Sequence, residues 1–418
     1  MRYNPFQPNR IINPAMFVGR TAEIRTIEHY LFQAKGGNAQ NFLVEGERGI
    51  GKSSLLRYVS AVANEGLPAI DGSIFNFLLV SVDLGGAHSQ IDIVRAVGRE
   101  LKKAMGSRDA LKEHAKKAWD FLTNWEVLGV RYHKTDLAFD PDDAKDSLVD
   151  QLAEVARSGQ MEGVLILIDE ADAAPVEAHL GEFAKSLTER LSRMGIENVI
   201  LGLAGLPTLI GKLRASHESA PRIFSMLELR PLTISERKMA VQIGMDMANA
   251  KNQQRTNLEA EAADLLADLS EGYPHFIQQF GYCAFEADED FVIDENDVVR
   301  GAYGENGAIA QLGAKYFEEA YVSKINSDDY RTLLNVMADH GDSWVSRKQL
   351  ISESRLKDTT VNNALAALKR KEIILADESR QGFYRLPTRS FAAWINAIKS
   401  APSRAELEKL DLPFAPRA

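Results

Sequence analysis

One cysteine stands in 418 residues. Cys283 cannot form an internal disulfide or a cysteine-based zinc cluster, and such scarcity fits a reducing, cytoplasmic setting. Set in the apolar run FGYCAF, it reads as core. Long hydrophobic runs are missing too. No uncharged apolar stretch approaches the roughly 18 residues needed to cross a bilayer, and the opening MRYNPFQPNRIINP lacks the apolar centre of a secretory signal. Net positive charge is also absent: the formal charge is −10, so attraction to nucleic acid or an anionic membrane would need a local basic surface. No internal repeat or low-complexity tract stands out. What remains is ordinary globular composition, 45% apolar and 26% charged, which excludes a mainly disordered or fibrous chain.

The length calls for two or three domains. Residues 1–15, with three prolines and several asparagines, read as an extended arm. Residues 16–232 alternate short apolar strands with amphipathic helices, the pattern of a mostly parallel α/β sheet covered on both faces. The expected strands are Asn41 to Val44, Phe75 to Val82, Val164 to Ile168, Val199 to Leu203 and Ser225 to Leu229. An insert at about 109–139 interrupts the rhythm, with WEVLGVRYH reading as a hairpin strand. Residues 233–323 read as a small helical domain. Residues 324–400 give three helices and then a hairpin around DESRQG, the outline of a winged helix. The charged, proline-bearing 401–418 reads as a loose tail.

The sharpest motif is GERGIGKSS directly behind the strand NFLVE. Gly46, Gly51, Lys52 and Ser53 match the phosphate-loop pattern G-x-x-x-x-G-K-[ST], and KSSLLRYVSAVANEG follows as an amphipathic helix ending near Gly66. Glycines let backbone N–H groups close around phosphate oxygens at a helix N-terminus, where the dipole favours negative charge. Gly46, Glu47, Arg48, Gly49, Ile50, Gly51, Lys52, Ser53 and Ser54 are therefore the expected cradle. Lys52 is the cation for the β- and γ-phosphates, and the Ser53 hydroxyl is a Mg²⁺ ligand.

A second motif ends the apolar run GVLILIDEADAA. Asp169 and Glu170 fall at the C-terminal end of a strand, where ligands bind in open α/β sheets. Asp169 is assigned to Mg²⁺ and Glu170 to the water that attacks the γ-phosphate.

With FVGRTAE upstream, these motifs resemble the AAA+ and STAND P-loop ATPases, in particular the branch of origin-initiator-like and archaeal-type ATPases with a C-terminal winged helix. The resemblance implies that Phe17, Val18, Gly19 and Arg20, followed by Glu23, border the adenine pocket. It implies that Pro274 in GYPH meets the base, and that ATP or ADP with Mg²⁺ is the cofactor. It also implies a nucleotide-dependent homo-oligomer. Two departures stand out. His275 occupies the place where many AAA+ members have a phosphate-sensing arginine. Gly205 ends the strand where a polar sensor is usual, with Thr208 three residues on. Arg222, ahead of the last strand, is either an arginine finger offered to a neighbouring subunit, a solvated arginine or a member of a local salt bridge.

From Ser346 to Arg389 ten Lys/Arg face five Asp/Glu, a net +5 that leaves −15 for the remainder. Arg347, Lys348, Lys369, Arg370, Lys371 and Arg380 are the candidates for phosphates of double-stranded DNA, and Thr360, Asn362 and Asn363 face outward from the third helix. The same module could instead hold a protein. The expected activity is a slow ATPase acting as a nucleotide-dependent switch, in a chain with no membrane contact.

Overall fold

The structure is a computed structural model that describes residues 2–11, 14, 17–84, 88–108, 111, 141–325, 327–371, 373–377 and 380–400. Almost all of the insert expected at about 109–139, and the tail, lie outside the described residues.

The chain divides into two compact units, Asn9–Leu232 and a second made of Met1–Pro8 with Thr233–Ala418. In the first, α1 (Thr21–Lys35) leads into β1 (Asn41–Glu45), and α2 (Lys52–Asn64) follows the phosphate loop. Then come β2 (Phe77–Asp83), α3 (Gln90–Gly106), α4 (Pro141–Arg157), β3 (Gly163–Asp169), α5 (Leu180–Arg193), β4 (Val199–Gly205), α6 (Leu209–Ser216) and β5 (Phe224–Glu228). The strands form one parallel sheet in the order β2-β3-β4-β1-β5. β1, β3 and β4 are interior, and their near-continuous apolar sequences answer to burial on both faces. Val164, Leu165, Ile166, Leu167 and Ile168 are all buried, each contributing about 1.5–3 kcal/mol. Across the sheet, α2 buries Leu55, Leu56, Val59 and Val62, ends at Asn64, and is followed by Gly66 at φ +77°. That left-handed geometry is the one glycine supplies after a helix end.

In the second unit α7 (Ile234–Lys251) opens with a capping box in which Thr233 and Glu236 satisfy each other's backbone N–H groups. Next are β6 (Asn257–Leu258), α8 (Ala260–Leu269), α9 (Pro274–Ala287), β7 (Val292–Ile293), α10 (Glu295–Tyr303) and α11 (Ala308–Leu312). The last continues into two π-helical stretches, Gly313–Phe317 and Glu319–Ser323. The chain ends in α12 (Asp328–Asp339), β8 (Val345–Ser346), α13 (Arg347–Ser354), α14 (Asp358–Arg370), β9 (Leu375–Ala376), β10 (Phe383–Arg385) and α15 (Arg389–Ser400). Antiparallel pairing in the order β8-β10-β9 closes the wing, giving winged-helix topology. Val361, Ala364, Leu365 and Leu368 seat α14 in that module.

Candidate functional site

The parallel sheet brings the C-terminal ends of β1, β3 and β4 side by side. Gly46, just past β1, donates its N–H to the Gly205 carbonyl at the end of β4 (3.3 Å). A Cβ on Gly46 would stand 2.8 Å from Ile50 Cγ2 and 3.2 Å from the Leu229 carbonyl oxygen, so the loop closes only with glycine there. Gly49 (φ 77°) and Gly51 (φ 102°) take left-handed conformations just ahead of α2, the kind of backbone from which anion-binding N–H concavities are built. Within this loop Lys52 Nζ donates to the carbonyls of Gly46 (2.7 Å) and Glu47 (2.9 Å). Burial lowers its pKa, while the carboxylates of Asp172, Asp169 and Glu170 act in the opposite direction. The ammonium is thus held at the mouth of the loop by neutral acceptors, with no carboxylate in direct contact among the described residues. Ser53 and Ser54, half-buried, begin the helix beside it.

Arg20, expected at the adenine pocket, reaches the tip of the phosphate loop. Its backbone is left-handed (φ 59°), the guanidinium is buried, and it donates to the Ile50 carbonyl at 3.0 Å, with Glu23 at 3.8 Å. A non-glycine residue in this region costs about 1–2 kcal/mol, which a buried bond from a charged donor offsets by about 1.5–3. Arg20 therefore braces the tip of the phosphate loop. Phe17 stacks on Tyr58 at 5.5 Å between centroids, Val18 is half-buried, and Gly19 takes φ 74°.

At the end of β3, Asp169 accepts the Glu170 N–H (2.9 Å), and Glu170 is exposed with φ 47° and ψ 36°. Left-handed non-glycine backbone is uncommon and gathers at functional sites. Asp83, at the end of β2, is the register partner of Asp169. Sequence reasoning passed over Asp172. Its carboxylate accepts the Leu206 N–H (2.9 Å), and a Cβ on Gly205 would lie 2.8 Å from that same oxygen and 2.8 Å from Leu209 Cδ2. The place expected for a polar sensor is thus filled by Asp172 from a neighbouring turn. The only trace in the sequence is a third acid in DEAD, three residues after Asp169. Thr208 precedes α6, exposed, and its side chain makes no cap bond.

Three-carboxylate or histidine clusters that could hold a metal are absent among the described residues. The donor set of Ser53 and Asp169 fits Mg²⁺, which takes one or two protein ligands alongside substrate phosphates. Arg222 lies on a 3-10 turn (Ala220–Ile223) before β5, exposed and without an ion pair among the described residues.

Pro274 opens α9 in the second unit as its first residue, and His275 follows. The His275 ring meets the Tyr316 ring edge-on at 5.2 Å, its Nε2 is buried without a hydrogen-bond partner, and burial with the nearby Lys315 charge lowers its pKa to about 4. A histidine that stays neutral when folded but titrates from 6.5 when unfolded favours the folded state at neutral pH. That contribution is lost as pH falls from about 6.5 towards 4. Chemical denaturation should therefore show His275→Phe losing about 2–3 kcal/mol less than the parent between pH 7 and pH 4.5. An identical acid limb in the two proteins would refute it.

In the winged helix several expected DNA-contacting cations are already engaged. Arg347 donates to Asn362 Oδ1 and Asp358 Oδ2, both at 2.5 Å. Arg380 pairs with Asp377 at 2.7 Å and lies over Phe383, and Lys371 donates to the Lys324 carbonyl. Lys348, Asn363, Lys369 and Arg370 are exposed, and Thr360 is half-buried. Local pairing of basic residues leaves no mark in a charge count.

No helix among the described residues is long and apolar enough to cross a membrane. The nearly full-length fold is similar to that of the ORC2 protein of Aeropyrum pernix in its ADPNP–ADP complexes, at TM-score 0.59 and 16% identity over 96% of this chain and 99% of that one. It is also similar to a Walker-type ATPase of Pyrococcus abyssi, at TM-score 0.55 and 14% identity over 91% and 96%. A 60-residue stretch, 14% of this chain, is 42% identical to an uncharacterized HTH-type transcriptional regulator of Methanocaldococcus jannaschii, and spans only 15% of that protein. Residues 16–196 match the family model of the AAA ATPase domain, so that this part of the chain, on its P-loop α/β fold, is an AAA ATPase domain.

Proposed function

We propose that the protein is an ATP-binding, slowly hydrolysing switch of the AAA+/STAND type. The observation that carries this reading is the meeting of Lys52, Asp169, Glu170 and Asp172 at the ends of adjoining strands, with a glycine where a polar sensor would stand. Bound Mg²⁺ would neutralise phosphate charge. Lys52 and the loop N–H groups hold the β- and γ-phosphates, and Glu170 orients the attacking water and takes its proton. With no side chain at Gly205, and with the Asp172 carboxylate beside it bonded to the Leu206 N–H, the water has one fewer anchor, which favours a held nucleotide over rapid cycling. Arg222, exposed and without an ion pair among the described residues, is suited to act in trans in a homo-oligomer.

The winged helix is proposed as the working end, with duplex DNA as its ligand. The exposed Lys348, Lys369 and Arg370 support this, and the Asp358 carboxylate that occupies Arg347 opposes it. Replacing Asp358 by Ala removes the charge that pairs with that guanidinium and leaves it bonded to Asn362 alone. If DNA is the ligand, affinity should rise about 3–10-fold, with the slope of log affinity against log salt steeper by about one phosphate contact. A second reading, recognition of a protein, draws on the internal pairing of Arg347 and Arg380. Hydrolysis and oligomer size measured together, with and without duplex DNA, separate the two. Stimulation and assembly on DNA support the first, while indifference to DNA leaves the protein-binding reading.

A further inference from the structure

The first residues of the chain, expected as an extended arm, make specific contacts. Residues 2–7 are built into the unit that begins at Thr233, although the residues that follow them, from Asn9, belong to the ATPase unit. Arg2 pairs with the fully buried Asp288 carboxylate, donates to the Phe285 and Asp288 carbonyls, and lies over the Phe285 ring at 4.1 Å. Tyr3 exchanges both backbone bonds with the Asn252 side chain, donating at 2.7 Å and accepting at 2.9 Å. Its ring sits under Lys251 Nζ at 4.2 Å. Asn4 donates to the Tyr282 carbonyl and the Glu286 carboxylate, and the Gln7 N–H donates to Gln278.

Phe6 is the anchor, only 2% exposed. It fills a notch between α7 and α9, where a Cβ on either Gly244 or Gly281 would stand 2.7 Å from its ring. A glycine inside a helix is destabilising relative to alanine, so two of them facing one ring mark a close approach that the helices are shaped to receive. Asparagine and glutamine side chains that pair with a strand-like backbone, a pocket for an aromatic ring and a buried acid for a guanidinium together make a peptide-recognition groove.

We propose that this groove is a latch site for the chain's own N-terminal segment Arg-Tyr-Asn-Pro-Phe, and that the latch gives the ATPase unit a second tether to the helical unit besides the Leu232–Thr233 connection. A single connection lets two units reorient about one point. A second restricts them to motion about an axis, so the latch sets which rearrangements a nucleotide can drive. The inference stands independently of whether the protein hydrolyses ATP.

A chain lacking residues 1–8 is titrated with the peptide MRYNPFQP and with its Phe6→Ala counterpart. Binding of the first, at least about 30-fold tighter than the second, is expected for loss of one buried aromatic anchor. No binding to a chain that keeps its circular-dichroism spectrum, or equal binding of both peptides, overturns the site. In the full chain, Phe6→Ala should accelerate hydrogen exchange at the Tyr3 and Gln7 amides at least about tenfold. Unchanged exchange overturns it even if the shortened chain fails to fold. For the tether, spin labels at Arg214→Cys and Ala366→Cys, in a Cys283→Ala background, report the distance between units. Phe6→Ala should broaden that distribution, and an unaltered width overturns the second-tether role.

Discussion

Lys52→Ala should weaken ATP binding by about 10²–10³-fold and remove measurable hydrolysis, while leaving the folded structure intact. The size follows from what the ammonium does. It offers charge-assisted bonds to phosphate oxygens, each worth about 1.5–3 kcal/mol, and two such bonds convert to two or three powers of ten. Folding should be spared because the bonds it now makes go to the carbonyls of Gly46 and Glu47, at a half-buried position open to water. Burial lowers the Lys52 pKa, so removing the charge also relieves a desolvation penalty, and the melting temperature without nucleotide should be equal to the parent's or slightly higher. Glu170→Gln is the control. It keeps the charge on Lys52 and the Asp169 carboxylate, so ATP should bind within about threefold of the parent, while hydrolysis falls about 10²–10⁴-fold for loss of a positioned base. Calorimetric titration with ATP and a phosphate-release assay on the two variants give a clean pattern. Binding lost in one and kept in the other supports the division of labour. Unchanged hydrolysis in Glu170→Gln would move the water-activating role to another carboxylate, Asp172 or Asp83.

The elements that would carry that division were legible in the sequence because they are local. Strand, loop and helix follow one another within Asn41–Asn64, and the five apolar residues before Asp169 announce a buried strand whatever the rest of the chain does. The expected strand limits needed shifts of no more than two residues. What stayed hidden depends on groups far apart in the chain. Phe6 finds its place only because Gly244 and Gly281, on two helices, leave the same notch, and neither glycine is unusual in its own helix. The bond from Arg20 to the Ile50 carbonyl also joins residues far apart in the chain, and it goes with a left-handed backbone that the neighbours of Arg20 do not foretell. The pairing of Arg347 with Asp358 likewise joins the starts of two helices.

The contact between Gly205 and Asp172 belongs to the hidden set, and it carries the second large effect. If the proposed hydrolysis were slow only because this position lacks a polar side chain, Gly205→Asn should quicken it. The packing argues for the opposite. A Cβ there meets Asp172 Oδ1 and Leu209 Cδ2 at 2.8 Å and the Asp172 backbone nitrogen at 3.2 Å. Leu209 is fully buried and has little room to give, while Asp172 can move only by releasing the Leu206 N–H it accepts at 2.9 Å. Overpacking costs about 1–3 kcal/mol and a hydrogen-bond donor left unsatisfied about as much again, so Gly205→Asn should destabilise the ATPase unit by about 2–4 kcal/mol. In a unit of this size that lowers the melting temperature by about 5–15 °C. Hydrolysis per folded molecule should not rise, because the Gly205 carbonyl that receives the Gly46 N–H would be displaced with the strand end, loosening the phosphate loop. The double variant Gly205→Asn/Asp172→Ala removes the side chain in the way and should recover at least about 1 kcal/mol of the loss, a non-additivity expected of residues in direct contact. Additive losses, or a single variant that hydrolyses ATP faster at full stability, would mean that the strand end can accept a sensor and that Asp172 is not what excludes one.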